Sequence, residues 1–226
     1  MASAEPRVHV IHTSPATLPL FAALLRERAP EARVVNTLDD SILPELNANG
    51  GELEAVWPRW RAYAAFAREG GAEVILNACS SVGALAERAS AELGCPVVRV
   101  DAAMAREAVR RASRIAVIAT LASTLRPTAA LLERTAAEAG RALELSLNEV
   151  PGAYAALMAG DQAAHDRLVA EAVAAEARTV EAIVLAQASM ARVLPALPPQ
   201  TAALCLTSPP FAADAVAAAL RARGPA

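Results

Sequence analysis

The chain has 226 residues and a formal net charge of −3, with 24 acidic and 21 basic residues. Every basic residue is arginine, and the absence of lysine excludes pyridoxal phosphate enzymes and Schiff-base aldolases, whose chemistry needs a lysine amine. The charges are spread along the chain rather than clustered, which argues against nucleic acid or anionic lipid as a partner.

Eight short apolar runs alternate with longer segments that are rich in Ala, Leu, Arg and Glu and have helical spacing. Continuous apolar runs of this kind predict parallel strands that are buried on both faces. In chain order the predicted strands are 8–12, 33–37, 73–77, 97–100, 114–120, 143–148, 182–186 and 201–207. Helices are predicted at 18–28 and at 127–139, the second starting with a proline, whose missing N–H costs least in a first turn.

An internal repeat relates the two halves of the chain. Segment 8–18 matches segment 115–125 at an offset of 107 residues, which places Thr13 on Thr120, and the segment around Cys79 falls on 183–189 at nearly the same offset. We therefore predict an α/β fold of two pseudo-symmetric doubly wound parallel-sheet halves, 1–112 with 208–226 and 113–207. The active site is expected in the cleft between them, where the carboxyl ends of the strands converge. The alternative is ordinary βαβ similarity in an alanine-rich chain.

Short polar side chains follow several of the predicted strands, often where a helix begins and its free N–H groups favour an anion. The Gly-rich spacings of nucleotide sites are missing from these loops, which disfavours nicotinamide, flavin and ATP chemistry. We predict that a small carboxylate is bound by loop residues His12, Thr13, Ser14, Ser80, Ser81, Thr120, Ser123, Thr124, Ala188, Ser189 and Ser208.

Cys79 stands where an apolar run gives way to small polar residues and then to a helical pattern. A thiol at the start of a helix is placed where the helix dipole lowers its pKa, so Cys79 is either a catalytic thiol or a small residue that a tight turn tolerates. Cys95 and Cys205 are predicted to be buried side chains. The three cysteines and three histidines lack the spacing of a disulfide framework or a metal site.

Two further polar residues, His12 and Asp40, have two interpretations each, and Asp101 has a single structural one. His12 could bond a substrate or Cys79, or it could be a satisfied histidine at the end of a strand. Asp40 could cap a helix in a solvated turn, or it could contact the substrate. Asp101 is expected to cap the helix that follows it.

No apolar run approaches the roughly 20 residues of a membrane span, and the N-terminus lacks the apolar core of a signal peptide. The sequence therefore predicts a cytoplasmic protein without a membrane partner.

The order and spacing of these segments resemble the aspartate/glutamate/hydantoin racemase superfamily, whose relatives include maleate isomerases and arylmalonate decarboxylases. The resemblance rests on the two-half pattern, the strand-Cys-Ser-Ser-helix segment at Cys79, segment 114–124 and segment 183–190, and it covers nearly the whole chain. It implies chemistry without a cofactor, a homo-oligomer, and Cys79 as the catalytic cysteine of the first half. Racemases of this superfamily use a second cysteine in the other half. Gln187 stands in that place here, and an amide is neither an acid nor a base at neutral pH.

The resemblance thus predicts a cofactor-independent, isomerase- or racemase-type proton transfer on a small carboxylate, either an amino acid or a dicarboxylate. Cys79 would be the catalytic thiol, and Gln187 a polar stabiliser of the enolate-like charge. Two alternatives stay open. One is a decarboxylase or lyase, which needs one thiol, and the other is a protein that binds a small acid without catalysis.

Overall fold

Two four-stranded parallel sheets with flanking helices form the framework of the chain. The computed structural model describes residues 5–223. By packing, these residues divide into unit 1, residues 5–101 with 209–223, and unit 2, residues 102–208.

Unit 1 contains a sheet with the strand order β2-β1-β3-β4. Its strands are β1 (Arg7–His12), β2 (Arg33–Leu38), β3 (Val74–Asn77) and β4 (Val97–Arg99). Its helices are α1 (Thr17–Arg28), α2 (Ile42–Ala48), α3 (Leu53–Glu69) and α4 (Gly83–Leu93), with a short 3₁₀ helix η1 (Ser80–Val82) directly before α4.

Unit 2 repeats this arrangement with the strand order β6-β5-β7-β8. Its strands are β5 (Arg114–Ala119), β6 (Glu144–Glu149), β7 (Ala182–Leu185) and β8 (Cys205–Thr207). Its helices are α5 (Ala102–Arg111), α6 (Ala122–Glu138), α7 (Ala153–Met158), α8 (Gln162–Glu176) and α9 (Pro199–Leu204), with the 3₁₀ helix η2 (Ala188–Ala196) after β7. The matching strand orders confirm the predicted α/β fold of two similar halves.

The two central strands of unit 1, β1 and β3, are buried and largely apolar because both faces of the sheet are covered there. On one face Ile11 and Ile75 pack in a cluster with the fully buried Trp60 of α3. On the other face Val10 and Leu76 pack in a cluster with Phe21 of α1. Each fully buried side chain of this size contributes about 1.5–3 kcal/mol relative to an exposed one. This packing holds the carboxyl ends of β1 and β3 rigidly side by side.

Two helices mark where the chain passes from one unit to the other. Helix α5 packs in unit 2, where it contacts α6, β7 and β8. The C-terminal helix α10 (Ser208–Arg223) packs in unit 1, where Val216 and Leu220 join the cluster that contains Phe21. The packing boundary therefore falls after Asp101, whereas the repeat in the sequence suggested residue 112.

Two predicted elements differ in extent from the structure. The predicted strand 201–207 is a strand only from Cys205 onward, because Pro199 in the first turn starts helix α9 and the helix runs to Leu204. Helix α6 begins at Ala122, so Pro127 lies inside the helix rather than at its start. Among the described residues, no helix combines the length and the apolar character needed to cross a bilayer.

Candidate active site

Cys79 lies in the loop that connects β3 to η1. All four residues of β3 are buried, and the N–H of Ala78 donates to the carbonyl of Ile11 (2.9 Å), which carries the pairing with β1 one residue past the strand. Cys79 is still extended, with φ −138° and ψ 121°, and η1 starts at the next residue. The small side chains around the thiol let this loop pack tightly, and Cys79 is only 8% exposed.

The thiol of Cys79 is surrounded by hydrogen-bond donors of its own unit. Burial raises the pKa of Cys79, although the side chain of Thr13, the N–H groups of Val82 and Ser81, and the Ser81 hydroxyl all act to lower it. The prediction of a lowered pKa is therefore wrong, because the loss of solvation outweighs these hydrogen bonds. Cys79 rests as a protonated thiol, and the donors that would stabilise a thiolate are already in place.

Asn77, the last residue of β3, holds the backbone of this loop. Its side-chain Nδ2 donates to the carbonyl of Cys79 (2.9 Å), and its Oδ1 is buried without a hydrogen-bond partner among the described residues. The sequence analysis assigned Asn77 no role. The available signal was a polar side chain at the end of an otherwise apolar strand, since such a group needs a hydrogen bond when it is buried.

A buried ion pair lies next to the start of α4, the helix that follows the Cys79 loop and η1. The guanidinium of Arg99 in β4 donates to both carboxylate oxygens of Asp101 (2.6 and 3.2 Å) and to Glu87 of α4 (3.2 Å). The side chains of Arg99 and Asp101 are 5% and 0% exposed. Asp101 directly precedes α5, the position expected for a cap, and its carboxylate neutralises Arg99. An arginine in a predicted buried strand, with an aspartate two residues later, was the signal for this pair.

Gly83, the first residue of α4, lies against the guanidinium of Arg99. A Cβ atom at this position would come within 2.5–2.8 Å of the guanidinium atoms. The guanidinium cannot move aside easily because Asp101 and Glu87 hold it. Only glycine allows η1 and α4 to approach β4 this closely.

We expect Gly83→Ala to destabilise the protein by about 1–3 kcal/mol, because the added methyl group overpacks the buried ion pair. Chemical denaturation monitored by circular dichroism measures this change. The exposed neighbour Ala84 provides the control, since Ala84→Ser adds one atom where there is solvent and should change stability by less than about 0.5 kcal/mol. Equal stability of Gly83→Ala and wild type would contradict the tight approach.

His12 is fully buried, and both of its ring nitrogens have partners. Nδ1 lies 2.7 Å from the hydroxyl of Thr17, and Nε2 lies 3.0 Å from Oδ1 of Asn36. Burial lowers the pKa of His12, although the hydrogen bond to Asn36 acts to raise it. The structure therefore favours the interpretation of His12 as a satisfied strand-end histidine over a substrate ligand.

Asp40 is exposed, and the neighbouring Asp39 makes the local hydrogen bonds. The carboxylate of Asp39 accepts from the N–H and hydroxyl of Ser41 (3.0 and 2.5 Å) and from the hydroxyl of Tyr63 (3.0 Å). Arg59 forms an ion pair with it (3.0 Å). Ser41, rather than Asp40, occupies the N-cap position of α2.

Gln187 of unit 2 occupies the position that corresponds to Cys79. It is extended, with φ −124° and ψ 139°, and η2 begins directly after it. Its Oε1 accepts two hydrogen bonds from Thr120, one from the backbone N–H (2.6 Å) and one from the hydroxyl (2.8 Å). A backbone N–H can only donate, so the side-chain atom that faces Thr120 must be the oxygen. The amide of Gln187 is thereby oriented, and its NH₂ group is what it can offer to a ligand.

The two units thus repeat one contact. The threonine after the first strand of each unit, Thr13 or Thr120, bonds the residue that follows the third strand, Cys79 or Gln187. The sequence repeat predicted that these threonines correspond, and the structure adds what each of them touches.

The remaining predicted ligands lie at helix starts and strand ends. Ser80 is buried in η1, Ser14 is half-buried after β1, and Ser208 is a buried serine at the start of α10. The other members, all in unit 2, lie in the first turn of α6 or of η2 and are Ser123, Thr124, Ala188 and Ser189. The structure therefore gathers Thr13, Ser80 and Ser81 at the Cys79 loop, whereas the expected cleft between the halves stays a prediction.

The other two thiols lie away from these loops. Cys95 is buried before β4, and its Sγ approaches the carbonyl oxygens of Ala72 and Glu73 (both 3.5 Å). Cys205 is half-buried in β8, and burial raises its pKa to about 11. Within residues 5–223 no three His, Cys, Asp or Glu side chains cluster in a way that could hold a metal ion.

Comparison with known proteins places this geometry in context. The sequence profile of the family described as Asp/Glu/Hydantoin racemase matches residues 8–222. No curated protein is significantly similar to the chain in sequence.

Solved structures of similar fold include two racemases and a decarboxylase. A glutamate racemase isoform from Bacillus anthracis has a TM-score of 0.77 at 18% identity, covering 97% of this chain and 83% of its own. An allantoin racemase from Klebsiella pneumoniae has a TM-score of 0.65 at 21% identity, covering 98% and 89%. An arylmalonate decarboxylase mutant has a TM-score of 0.59 at 19% identity, covering 94% of each chain. At these low identities, the likeness to the solved structures shows a shared fold.

Proposed function

Because the chain belongs to the Asp/Glu/hydantoin racemase family, we propose that it is an enzyme that transfers a proton to or from a carbon atom of a small carboxylate. Cys79 is the acid–base group of this reaction. The observation that carries the proposal is the Cys79 loop, in which a buried thiol is surrounded by Thr13, Ser81 and the N–H of Val82. Hydrogen-bond donors already arranged around a thiol suit a group that becomes a thiolate during turnover.

The proposed isomerase step is a proton transfer between carbon and sulfur. Cys79 first loses its resting proton to solvent, and the thiolate then takes a proton from the carbon next to the substrate carboxylate, so a C–H bond breaks and an S–H bond forms. The electron pair of the C–H bond moves toward the carboxylate oxygens and gives an enolate-like intermediate. The thiol then gives a proton to the other face of the same carbon, once the planar intermediate has turned, or to a conjugated carbon, which regenerates the thiolate.

Gln187 contributes a donor to this reaction and no proton. Its NH₂ group can hydrogen-bond the developing oxyanion, and a donor of this kind is worth about 3–4 kcal/mol in comparable sites. An amide cannot deliver a proton to the far face of the carbon, so a symmetric two-thiol racemisation is not expected. The isomerase chemistry that suits the chain is one-base: epimerisation through a single thiol or a shift of a double bond.

A second candidate, decarboxylation, is favoured by the raised pKa of Cys79. A thiol that rests protonated is ready to give a proton to a carbanion. When the C–C bond to a carboxylate breaks and carbon dioxide leaves, its electron pair stays on the remaining carbon and takes the proton of Cys79. Solvent then reprotonates the thiolate.

Proton NMR in deuterium oxide tests the proposed function with a panel of small mono- and dicarboxylates. Incorporation of deuterium at carbon without release of carbon dioxide indicates the isomerase type. Release of carbon dioxide indicates the decarboxylase. Binding without either change would contradict the proposal and indicate a protein that binds a small acid without catalysis.

The raised pKa of Cys79 predicts slow alkylation at neutral pH. Burial favours the uncharged thiol, so at any given pH the reactive thiolate is scarcer than in a free cysteine. We expect the iodoacetamide reaction of Cys79, taken as the difference between wild type and Cys79→Ala, to rise with pH through a midpoint above that of a free cysteine in a peptide. A midpoint below that value would show that the hydrogen bonds outweigh the burial.

A further inference from the structure

We infer that the substrate is an acid without an α-ammonium group, such as a dicarboxylate or a substituted malonate, and is not an amino acid. This inference rests on the proposed function and narrows its substrate class. It depends on which charges the loops at the carboxyl ends of the strands carry and on which of those charges are already paired.

The loops that follow the two central strands of each sheet contain no carboxylate. These loops are 13–16 after β1, 78–82 after β3, 120–121 after β5 and 186–189 after β7. They offer hydroxyl groups, backbone N–H groups, one thiol and one amide. A buried ammonium group needs a nearby anion, because removing an unpaired charge from water costs several kcal/mol.

The acids at the ends of the neighbouring strands are occupied. The carboxylate of Asp101, after β4, is bonded by Arg99. Asp39, after β2, is engaged by Ser41, Tyr63 and Arg59. Burial acts to raise the pKa of Asp39, yet these hydrogen bonds and the arginine charge hold that pKa below its usual value.

Two further acids at strand ends lie in solvent. Asp40 follows β2 and Glu149 ends β6, and both residues are exposed. A carboxylate in water attracts an ammonium group only weakly, since the pair is screened and its net energy is about 0–1 kcal/mol. These two residues therefore do not provide the buried anion that an amino acid would need.

Gln187 and Asn77 do not supply this anion either. Oε1 of Gln187 already accepts two hydrogen bonds from Thr120, so the side chain presents N–H groups. Oδ1 of Asn77 has no partner within the part of the chain that the structure describes, but it is a neutral oxygen in a fully buried side chain. The loops of both units are thus rich in donors and poor in charged acceptors. A carboxylate or enolate oxygen fits such a set, and an ammonium group does not.

The experiment compares three acids on one carbon skeleton: 2-methylsuccinate, malate and aspartate. They differ only in the methyl, hydroxyl or ammonium group on the second carbon. Thermal shift titrations of wild type measure binding, and NMR in deuterium oxide measures exchange at carbon. We expect 2-methylsuccinate or malate to stabilise the protein at concentrations at least about tenfold lower than aspartate, corresponding to about 1.4 kcal/mol.

The outcomes separate this inference from the proposed function. Exchange of aspartate in wild type but not in Cys79→Ala, with weaker binding of the other two acids, would overturn the inference and leave the proposed function standing. Preferential binding of 2-methylsuccinate or malate without exchange of any acid would sustain the substrate class and contradict catalysis. If none of the three acids shifts the melting temperature, the inference is overturned as well.

A matched pair of variants tests the charge argument directly. Gln187→Glu places an anion where the amide NH₂ was and keeps an oxygen for Thr120. We expect it to raise the affinity for aspartate relative to 2-methylsuccinate by about tenfold. Gln162→Glu adds the same charge at an exposed position of α8 and should leave that ratio unchanged. An unchanged ratio in both variants would contradict the inference.

Discussion

Cys79→Ser is expected to lower the rate of deuterium incorporation into the substrate by about 10²–10⁴-fold, the range that a positioned general acid–base group contributes. Serine keeps the size and the hydrogen bonds of the side chain, but its hydroxyl is far too weak an acid to exchange a proton with carbon at neutral pH. Binding of the carboxylate, measured by thermal shift, should change little. The combination of retained binding and lost exchange is the signature of a group that acts in the chemical step.

Cys205→Ser is the matched control for this prediction. It makes the same atomic change at a half-buried thiol in β8, outside the loops that carry the proposed chemistry. Its exchange rate should stay within about twofold of wild type, because it alters no group that is proposed to touch the substrate. Comparable rates in Cys79→Ser and wild type would remove Cys79 from the mechanism.

Asp101→Asn is expected to destabilise the protein by about 3–5 kcal/mol, because it leaves the buried guanidinium of Arg99 without its main counter-charge. Glu87 stays in contact with Arg99, but its side chain is 44% exposed and the contact is longer, so it compensates only in part. Urea denaturation followed by circular dichroism gives the change in the free energy of unfolding.

The control for Asp101 is an ion pair on the surface of the same unit. Glu54→Gln removes one of the two acidic partners of Arg88 at a site where both side chains are well exposed, and it should cost less than about 1 kcal/mol. The double variant Arg99→Met/Asp101→Leu removes both buried charges and should be more stable than Asp101→Asn alone. A destabilisation of Asp101→Asn no larger than that of Glu54→Gln would contradict the importance of the buried pair.

The framework of the fold follows from patterns that are local in the sequence. The apolar run of β3 that ends just before Cys79 predicts a buried strand and a loop, because a strand covered on both faces is mostly apolar. The repeat that aligns Thr13 with Thr120 predicts two similar halves, and the strand orders of the two sheets agree with it. The predicted limits of β8 and α6 differ from the observed ones, because the sequence around Pro199 and Pro127 is compatible with more than one helix start.

The contacts of the charged side chains near the candidate site could not be predicted from such local patterns. Asp40 stands at the start of a predicted helix, yet the structure engages the neighbouring Asp39 in its place. This outcome depends in part on a side chain from another element. Tyr63 of α3 donates to Asp39 from 24 residues further along the chain, and local spacing cannot predict such a contact.

The sequence by itself therefore determined the α/β class, the two-half repeat, the position of Cys79 after a buried strand and the position of Gln187 after a strand of the second half. Only the tertiary structure decided that Cys79 rests protonated and that Gln187 presents its NH₂ group. The physical reason is that periodicity and turn chemistry act between near neighbours in the chain. A pKa and the orientation of an amide depend on burial and on donors, and folding brings these from distant segments such as Thr13 and Thr120.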